Sequence, residues 1–182
     1  AMKTVACIVQ PGFAPIEFGL ACEAFGLDRS DDGIPNFDFR IVTPEPGAVP
    51  SNMGFSINVD ADLAFADEAD LVVITPIPRS AWAHVDERVC EVVRRAGSVG
   101  TPVHVDAVQA VGHVPVDFHE LGAATLAASA HKFGGPRGMG ILLARRSPAP
   151  QPVILGGGQE RGIRSGTVDV ASAAATAGAG SG

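Results

Sequence analysis

Short apolar runs rich in β-branched residues alternate along this chain with stretches of helical periodicity. Residues 4–10 and 69–76 have the pattern of buried strands, and residues 15–28, opened by Pro15, have that of an amphipathic helix. The rhythm continues in the second half, where strands are predicted over 101–106, 124–130 and 138–145. Strands that alternate with helices favour a mainly parallel sheet with helices on both faces. We therefore predict a three-layer α/β fold of the Rossmann or flavodoxin-like kind.

Weaker patterns fill the intervals between these elements. A strand is predicted over 37–45 and a bent or hairpin strand over 49–62. Helices are predicted over 79–97, over 116–122 and from about Thr167, a residue type that caps helices. The 182 residues match the size of one domain, so we expect a single domain over 1–182, with 179–182 as a tail.

Charge and hydropathy exclude several classes of function. The formal net charge is -7 and no run of basic residues occurs, which argues against nucleic acid as a partner. No apolar stretch is long enough to span a membrane, and no secretory leader is visible, so we expect a cytoplasmic protein. The cysteines Cys7, Cys22 and Cys90 have no metal-ligand spacing and are predicted to be buried free thiols, and no metal is expected.

Polar residues follow two of the predicted strands of the second half. Asp106 ends one strand, and Ser129, His131 and Lys132 end the next; Lys132 and Lys3 are the only lysines in the chain. In parallel sheets, ligands bind outside the carboxyl ends of the strands. A reactive lysine forms Schiff bases with aldehydes, and pyridoxal phosphate is the commonest aldehyde cofactor. On pattern alone, ordinary loop polarity explains these residues as well.

Three motifs of the second half resemble the large domain of class V aminotransferases, specifically the cysteine desulfurases. They read HVDAVQAVGHVPVDFHELGA, SAHKFGGPRGMGILLARR and GGGQERGIRSGT, within about residues 100–178. The resemblance implies that Lys132 binds the cofactor aldehyde and that Asp106 contacts the pyridine nitrogen. It also implies that Gln109 contacts the phenolic oxygen and that Ser129 and His131 bind the phosphate. Thr167 would bind the phosphate of a neighbouring subunit's cofactor. A homodimer through the second half is therefore expected.

The similarity covers only a central fragment of that family. The family places its persulfide cysteine after the position of Lys132, where this sequence has no cysteine. The upstream segment that stacks on the cofactor ring is not matched either. The resemblance alone therefore does not imply a complete active site.

The first half resembles a different family, the ThiJ/PfpI or class I amidotransferase-like domain of AraC-type regulators. The motif TVACIVQPGFAPIEFGLACEAFG and the segment that follows carry this resemblance over about residues 3–98, with Glu17 at an acidic position of the family. The nucleophilic cysteine of that family would fall near Ala107. The two resemblances together predict a chimera, engineered or naturally recombined, of segments 3–98 and 99–178.

The chimera hypothesis predicts no complete active site, no catalytic activity and no bound cofactor. Two alternatives remain open. One is a residual pyridoxal phosphate-binding protein of cysteine desulfurase type that uses Lys132. The other is a small-metabolite-binding module of ThiJ/PfpI type.

Overall fold

The computed structural model describes residues 2–78, 80–81, 85–147 and 150–179. The chain divides into two compact units, Ala1–Arg95 and Ala96–Gly182, and each is described by itself. The expectation of a single domain stays a prediction. Residues 180–182, in the predicted tail, and residues 79 and 82–84, in the predicted helix over 79–97, lie outside the described residues.

The first unit is built on a parallel sheet. Its strands are β1 (Thr4–Ile8), β2 (Asp38–Val42) and β5 (Leu71–Ile74), in the order β2-β1-β5. The central strand β1 pairs in parallel with both neighbours. Residues 5–8 of β1 are fully buried, as expected for a strand covered on both faces.

Alternation along β1 divides the core of the first unit between two faces. Ala6 and Ile8 pack in one cluster, whereas Cys7 and Val9 pack in another, because successive side chains of a strand point to opposite faces. Helix α2 (Glu87–Ser98) contributes Val89 and Val92 to the first cluster, and the second includes Ala21 of helix α1 (Pro15–Ala21). Burial, together with the nearby Cys22, raises the pKa of the Cys7 thiol to about 12.

The predicted bent strand over 49–62 is part of a hairpin. Strands β3 (Gly47–Pro50) and β4 (Ser56–Val59) pair in antiparallel register. The hydroxyl of Ser51 donates to the carbonyl of Phe55 at 2.7 Å and closes the turn between them. Valines from both strands, Val49 and Val59, join the cluster around Phe13.

The second unit is a three-stranded sheet with one terminal helix. Strand β7 (Thr125–Ser129) lies between β6 (His104–Asp106) and β8 (Gly140–Ala144), parallel to β6 and antiparallel to β8. Its core is formed by Ala107, Leu126 and Ala128, against which Phe118 and Ile141 pack. Helix α3 (Val170–Ala179) follows near the end of the chain.

The α/β class with a mainly parallel sheet and helices is confirmed. The described strands form three separate sheets rather than one, and β7 and β8 are antiparallel. The predicted helix over 116–122 is a turn, in which the Asp117 carboxylate accepts hydrogen bonds from the amides of His119 and Glu120. These bonds lower the pKa of Asp117.

Two further predictions about local structure need correction. Helix α3 is capped by Asp169, whose carboxylate accepts from the amide and hydroxyl of Ser172, and not by Thr167. Of the cysteines, Cys7 is buried, whereas Cys22 and Cys90 are only partly buried; all three are free thiols.

In the described part of the chain, no helix is long and apolar enough to cross a membrane.

Candidate cofactor site in the second unit

The parallel register of β6 and β7 places two of the predicted segments at one edge of the sheet. Asp106, the last residue of β6, lies opposite Ala127 of β7, two residues before the end of that strand at Ser129. The carboxyl ends of parallel strands meet at the same edge. Asp106 and the Ser129–Lys132 segment therefore emerge on the same side of the sheet.

The turn after β6 is fixed by its own backbone. Ala107 is buried, and its amide donates to the carbonyl of Ala127 at 2.9 Å. The carbonyl of Ala107 accepts from the amides of Ala110 and Val111 at 3.0 Å each. Gln109 lies exposed within this turn. The Asp106 carboxylate accepts from the amide of Val108 at 2.9 Å, which orients its Oδ1 atom.

The turn after β7 carries the lysine. It is a 3₁₀ turn over Ala130–Lys132 whose first residue is fully buried. The carbonyl of Ala130 accepts from the amides of Phe133 and Gly135, at 3.1 and 2.9 Å. A Cβ atom on Gly135 would lie 2.8 Å from the Cβ of Ala130, so only glycine fits there. Lys132 is therefore attached to a well-braced backbone, and its side chain is partly buried.

Ser129 and His131 form a polar pair beside the lysine. The Ser129 Oγ and His131 Nδ1 atoms are 2.9 Å apart, at hydrogen-bond distance. His131 is exposed and Ser129 is partly buried. A hydroxyl and an imidazole are both groups that can donate to an anion.

Gly112 brings the two turns into contact. Its φ of +78° is a backbone conformation that favours glycine, and a Cβ atom built on it would lie 2.4 Å from the Cβ of Phe133. The turn that contains Gln109 thus packs directly against the residue that follows Lys132. Gly112 could not be recognised from the sequence, since a glycine between two apolar runs indicates only a turn.

Two of the three other predicted residues lie elsewhere. Thr167 is exposed in the segment between the 3₁₀ turn Glu160–Gly162 and α3, and the sheet register does not bring it to the edge. Glu17 is exposed on α1 in the first unit. Ala107, at the place of the ThiJ/PfpI nucleophile, is buried and has no reactive group. Among the described residues no cluster of His, Cys, Asp and Glu could hold a metal ion.

The donor set at this edge fits pyridoxal phosphate. The cofactor needs an amine for its aldehyde, a carboxylate for its ring nitrogen and donors for its phosphate. Lys132, Asp106 and the Ser129–His131 pair are of these types and follow two adjacent parallel strands. Within the described part of the chain the Oδ2 atom of Asp106 has no hydrogen-bond partner, which leaves that oxygen available to a ring N–H.

Two curated relatives are cysteine desulfurases. The chain is 57% identical over 74 residues to the IscS-like cysteine desulfurase of Mycobacterium tuberculosis, which covers 41% of this chain and 19% of that protein. It is 40% identical over 110 residues to the cysteine desulfurase IscS of Dictyoglomus turgidum. This match covers 60% of this chain and 28% of that protein. The chain thus spans less than a third of the length of these relatives. They overturn the expectation of a protein without activity, and they do not support the expectation that no cofactor binds.

Solved structures extend the similarity to nearly the whole chain. A NifS-like protein matches with a TM-score of 0.52 at 25% identity, covering 98% of this chain and 44% of that one. For the first half, an AraC family transcriptional regulator from Pseudomonas putida covers 57% of this chain at 20% identity, with a TM-score of only 0.44. The assignment of residues 3–98 to the ThiJ/PfpI family therefore stays a prediction.

The family comparison corrects the chimera hypothesis. The model of the aminotransferase class-V family matches residues 59–180, more than half of the chain. This match begins within the segment assigned to the other family and continues across the predicted junction between residues 98 and 99. The interpretation of the chain as a chimera without an active site is therefore wrong, and the chain belongs to the class-V aminotransferase family.

Proposed function

We propose that the second unit binds pyridoxal phosphate and serves a cysteine desulfurase reaction, with Lys132 as the amine that holds the cofactor aldehyde. The observation that carries this proposal is the parallel register of β6 and β7, which puts Asp106 and the lysine turn at one edge. The 57% identity to a cysteine desulfurase supports the same class of reaction. When bound, this cofactor supplies an electron sink for bonds at the α-carbon of an amino acid.

Each residue of the edge has a separate task in this proposal. Asp106, oriented by the amide of Val108, holds a proton on the ring nitrogen. Gln109, exposed on the neighbouring turn, donates to the phenolic oxygen. Ser129 and His131, already 2.9 Å apart, donate to the phosphate. The buried Ala107 and Ala130 keep the two turns rigid, which fixes these donors before a ligand arrives.

The cysteines of this chain are not assigned to sulfur transfer. All three precede Lys132 and lie in the first unit. The thiolate is the reactive form of cysteine, and burial raises the pKa of Cys7 to about 12, which suppresses that form at neutral pH. The role proposed for this chain is therefore cofactor binding and substrate activation.

An absorbance titration of the purified chain with pyridoxal phosphate tests the proposal. We expect a saturable long-wavelength band that neither the free cofactor nor the protein shows alone, because attachment to an amine changes the chromophore. In Asp106→Asn the band should persist but shift in wavelength, because the carboxylate controls the protonation of the ring and not the attachment to the amine. Spectra equal to the sum of protein and free cofactor at all concentrations would contradict the proposal.

We also propose that two copies associate through the second unit. Strand β8 is an edge of the sheet, and its Leu142 and Leu143 are 53% and 42% exposed. An exposed edge with apolar side chains is a surface that a second strand can cover. The resemblance to cysteine desulfurases, in which Thr167 would reach a neighbouring subunit's cofactor, supports the same arrangement.

Light scattering during size-exclusion chromatography measures this association. We expect the mass of two chains for the unmodified protein and of one chain for Leu142→Lys/Leu143→Lys, because two added charges would be desolvated in the interface. A matched control is Leu121→Lys, which changes an equally exposed leucine outside β8. A single-chain mass for the unmodified protein at every concentration would contradict the dimer.

The cytoplasmic location stays a prediction, since relatives include a mitochondrial cysteine desulfurase.

A further inference from the structure

The glycine-rich segment before α3 is closed by side-chain hydrogen bonds to the backbone of one residue, Gly166. The amide N–H of Gly166 donates to Oε1 of Gln159 at 3.2 Å, and the carbonyl of Gly166 accepts from Nη1 of Arg164 at 3.2 Å. Ser165 adds a third contact, with its hydroxyl 3.3 Å from the carbonyl of Ile154. Gly166 is therefore held through both its donor and its acceptor.

The segment makes room for the Gln159 side chain. A Cβ atom on Gly157 would lie 2.5 Å from Oε1 of Gln159, so a glycine here lets the amide group keep its position. Directly after Gln159, Glu160 and Arg161 adopt φ values of 47° and 61°, in the left-handed region. Residues with a Cβ atom persist there only where the surroundings fix the backbone. This part of the segment therefore has a defined shape rather than an arbitrary loop conformation.

Gly166 is also the residue that precedes Thr167. Its φ of +105° lies in a region that side chains rarely permit, and glycine by itself restricts the backbone very little. Without an external restraint, the direction of the chain at Thr167 would be poorly defined. Gln159 and Arg164 supply that restraint from the two sides of the Gly166 residue.

We propose that Gln159 and Arg164 are positioning residues that clamp Gly166 and thereby aim Thr167 at a phosphate group. This inference rests on the proposed function, in which the Thr167 hydroxyl donates to the phosphate of pyridoxal phosphate bound to a second copy of the chain. Neither positioning residue needs to touch the cofactor. Their effect is confined to the phosphate end, because the clamp acts only through Thr167.

Gln159→Met tests the clamp, since it removes the acceptor atom and keeps the length of the side chain. We expect the hydrogen of the Gly166 amide to exchange about three- to tenfold faster, because one modest hydrogen bond gives about that much protection from exchange. Gln159→Glu retains an acceptor and should restore slow exchange. The matched control Gln151→Met changes an exposed glutamine of the same unit and should leave the exchange of Gly166 unaltered.

The second measurement compares the affinities for pyridoxal phosphate and for pyridoxal, which lacks the phosphate. In Gln159→Met we expect the dissociation constant of pyridoxal phosphate to rise about three- to tenfold and that of pyridoxal to change less than about twofold. Combining this change with Thr167→Val should weaken binding no further than Thr167→Val alone, because both act through one hydroxyl. A general loss of structure would weaken both ligands equally.

Two results would overturn the inference: unchanged exchange of the Gly166 amide in Gln159→Met, or equal weakening of both ligands. Failure of the proposed function has a different signature. In that case the unmodified chain binds neither ligand, and the exchange measurement alone decides whether the clamp exists.

Discussion

Gly112→Ala should destabilise the second unit by about 2–5 kcal/mol. The new Cβ atom would lie 2.4 Å from the Cβ of Phe133, a distance that real Cβ atoms do not show, so one of the two turns must move. The φ of +78° adds strain, because an L-residue in the left-handed region costs about 1–2 kcal/mol. Denaturant unfolding followed by far-UV circular dichroism measures the change.

Gly122→Ala is the matched control for this prediction. Gly122 has a similar φ of +65°, but a Cβ atom there would meet no heavy atom within 4 Å. We expect the free energy of unfolding to fall by only about 1–2 kcal/mol, which is the cost of placing an L-residue in the left-handed region. Equal losses at the two positions would show that the contact between the two turns does not exist. Only Gly112→Ala should also reduce cofactor attachment, because Phe133 directly follows Lys132.

Lys132→Ala should abolish attachment of pyridoxal phosphate completely. The chain has one other lysine, Lys3, so few amines compete for the aldehyde. The expected result is loss of the long-wavelength band at every cofactor concentration. Lys132→Arg should lose the band as well, because a guanidinium keeps the charge but does not provide a reactive amine.

Lys3→Ala is the control that distinguishes a specific site at Lys132 from unspecific reaction of any lysine amine with the aldehyde. The backbone amide of Lys3, not its side chain, bonds to the carboxylate of Asp70 at 2.8 Å, so truncation preserves this contact. Lys3→Ala should therefore keep both the band and the stability of the first unit. A band that weakens equally in Lys3→Ala and Lys132→Ala would mean that neither lysine lies in a specific site.

Much of the candidate edge could be predicted because it depends on local patterns. The apolar runs of β6 and β7 end at Asp106 and Ser129, so the parallel pairing alone brings their polar successors together. The contact between Gly112 and Phe133 could not be predicted in this way, because it depends on the relative position of two turns that are distant in sequence.

Other differences had signals in the sequence. The connection between β7 and β8 covers only residues 130–139, whereas a parallel crossover needs about a dozen or more residues, so an antiparallel pair was the only short solution. Thr167 and Asp169 are both good N-cap types, and only Asp169 has Ser172 three residues later as a partner for its carboxylate.

The interpretation of the chain as a chimera without activity failed for a different reason. The three motifs that carry the resemblance to the family all lie after residue 100. The family match from residue 59 onward shows that the signal was present before the predicted junction. Local motifs therefore misplaced the start of the similarity, which lies at residue 59 and not near residue 100.

Borohydride reduction of the chain with bound pyridoxal phosphate, followed by peptide mapping, identifies the amine that holds the cofactor. The reduction makes the attachment of the cofactor permanent, so that mass spectrometry can identify the modified amine. We predict one cofactor on the peptide that contains Lys132, with Lys3 and the amino terminus unmodified. Labelling spread evenly over these amines, or no labelling at all, would contradict it.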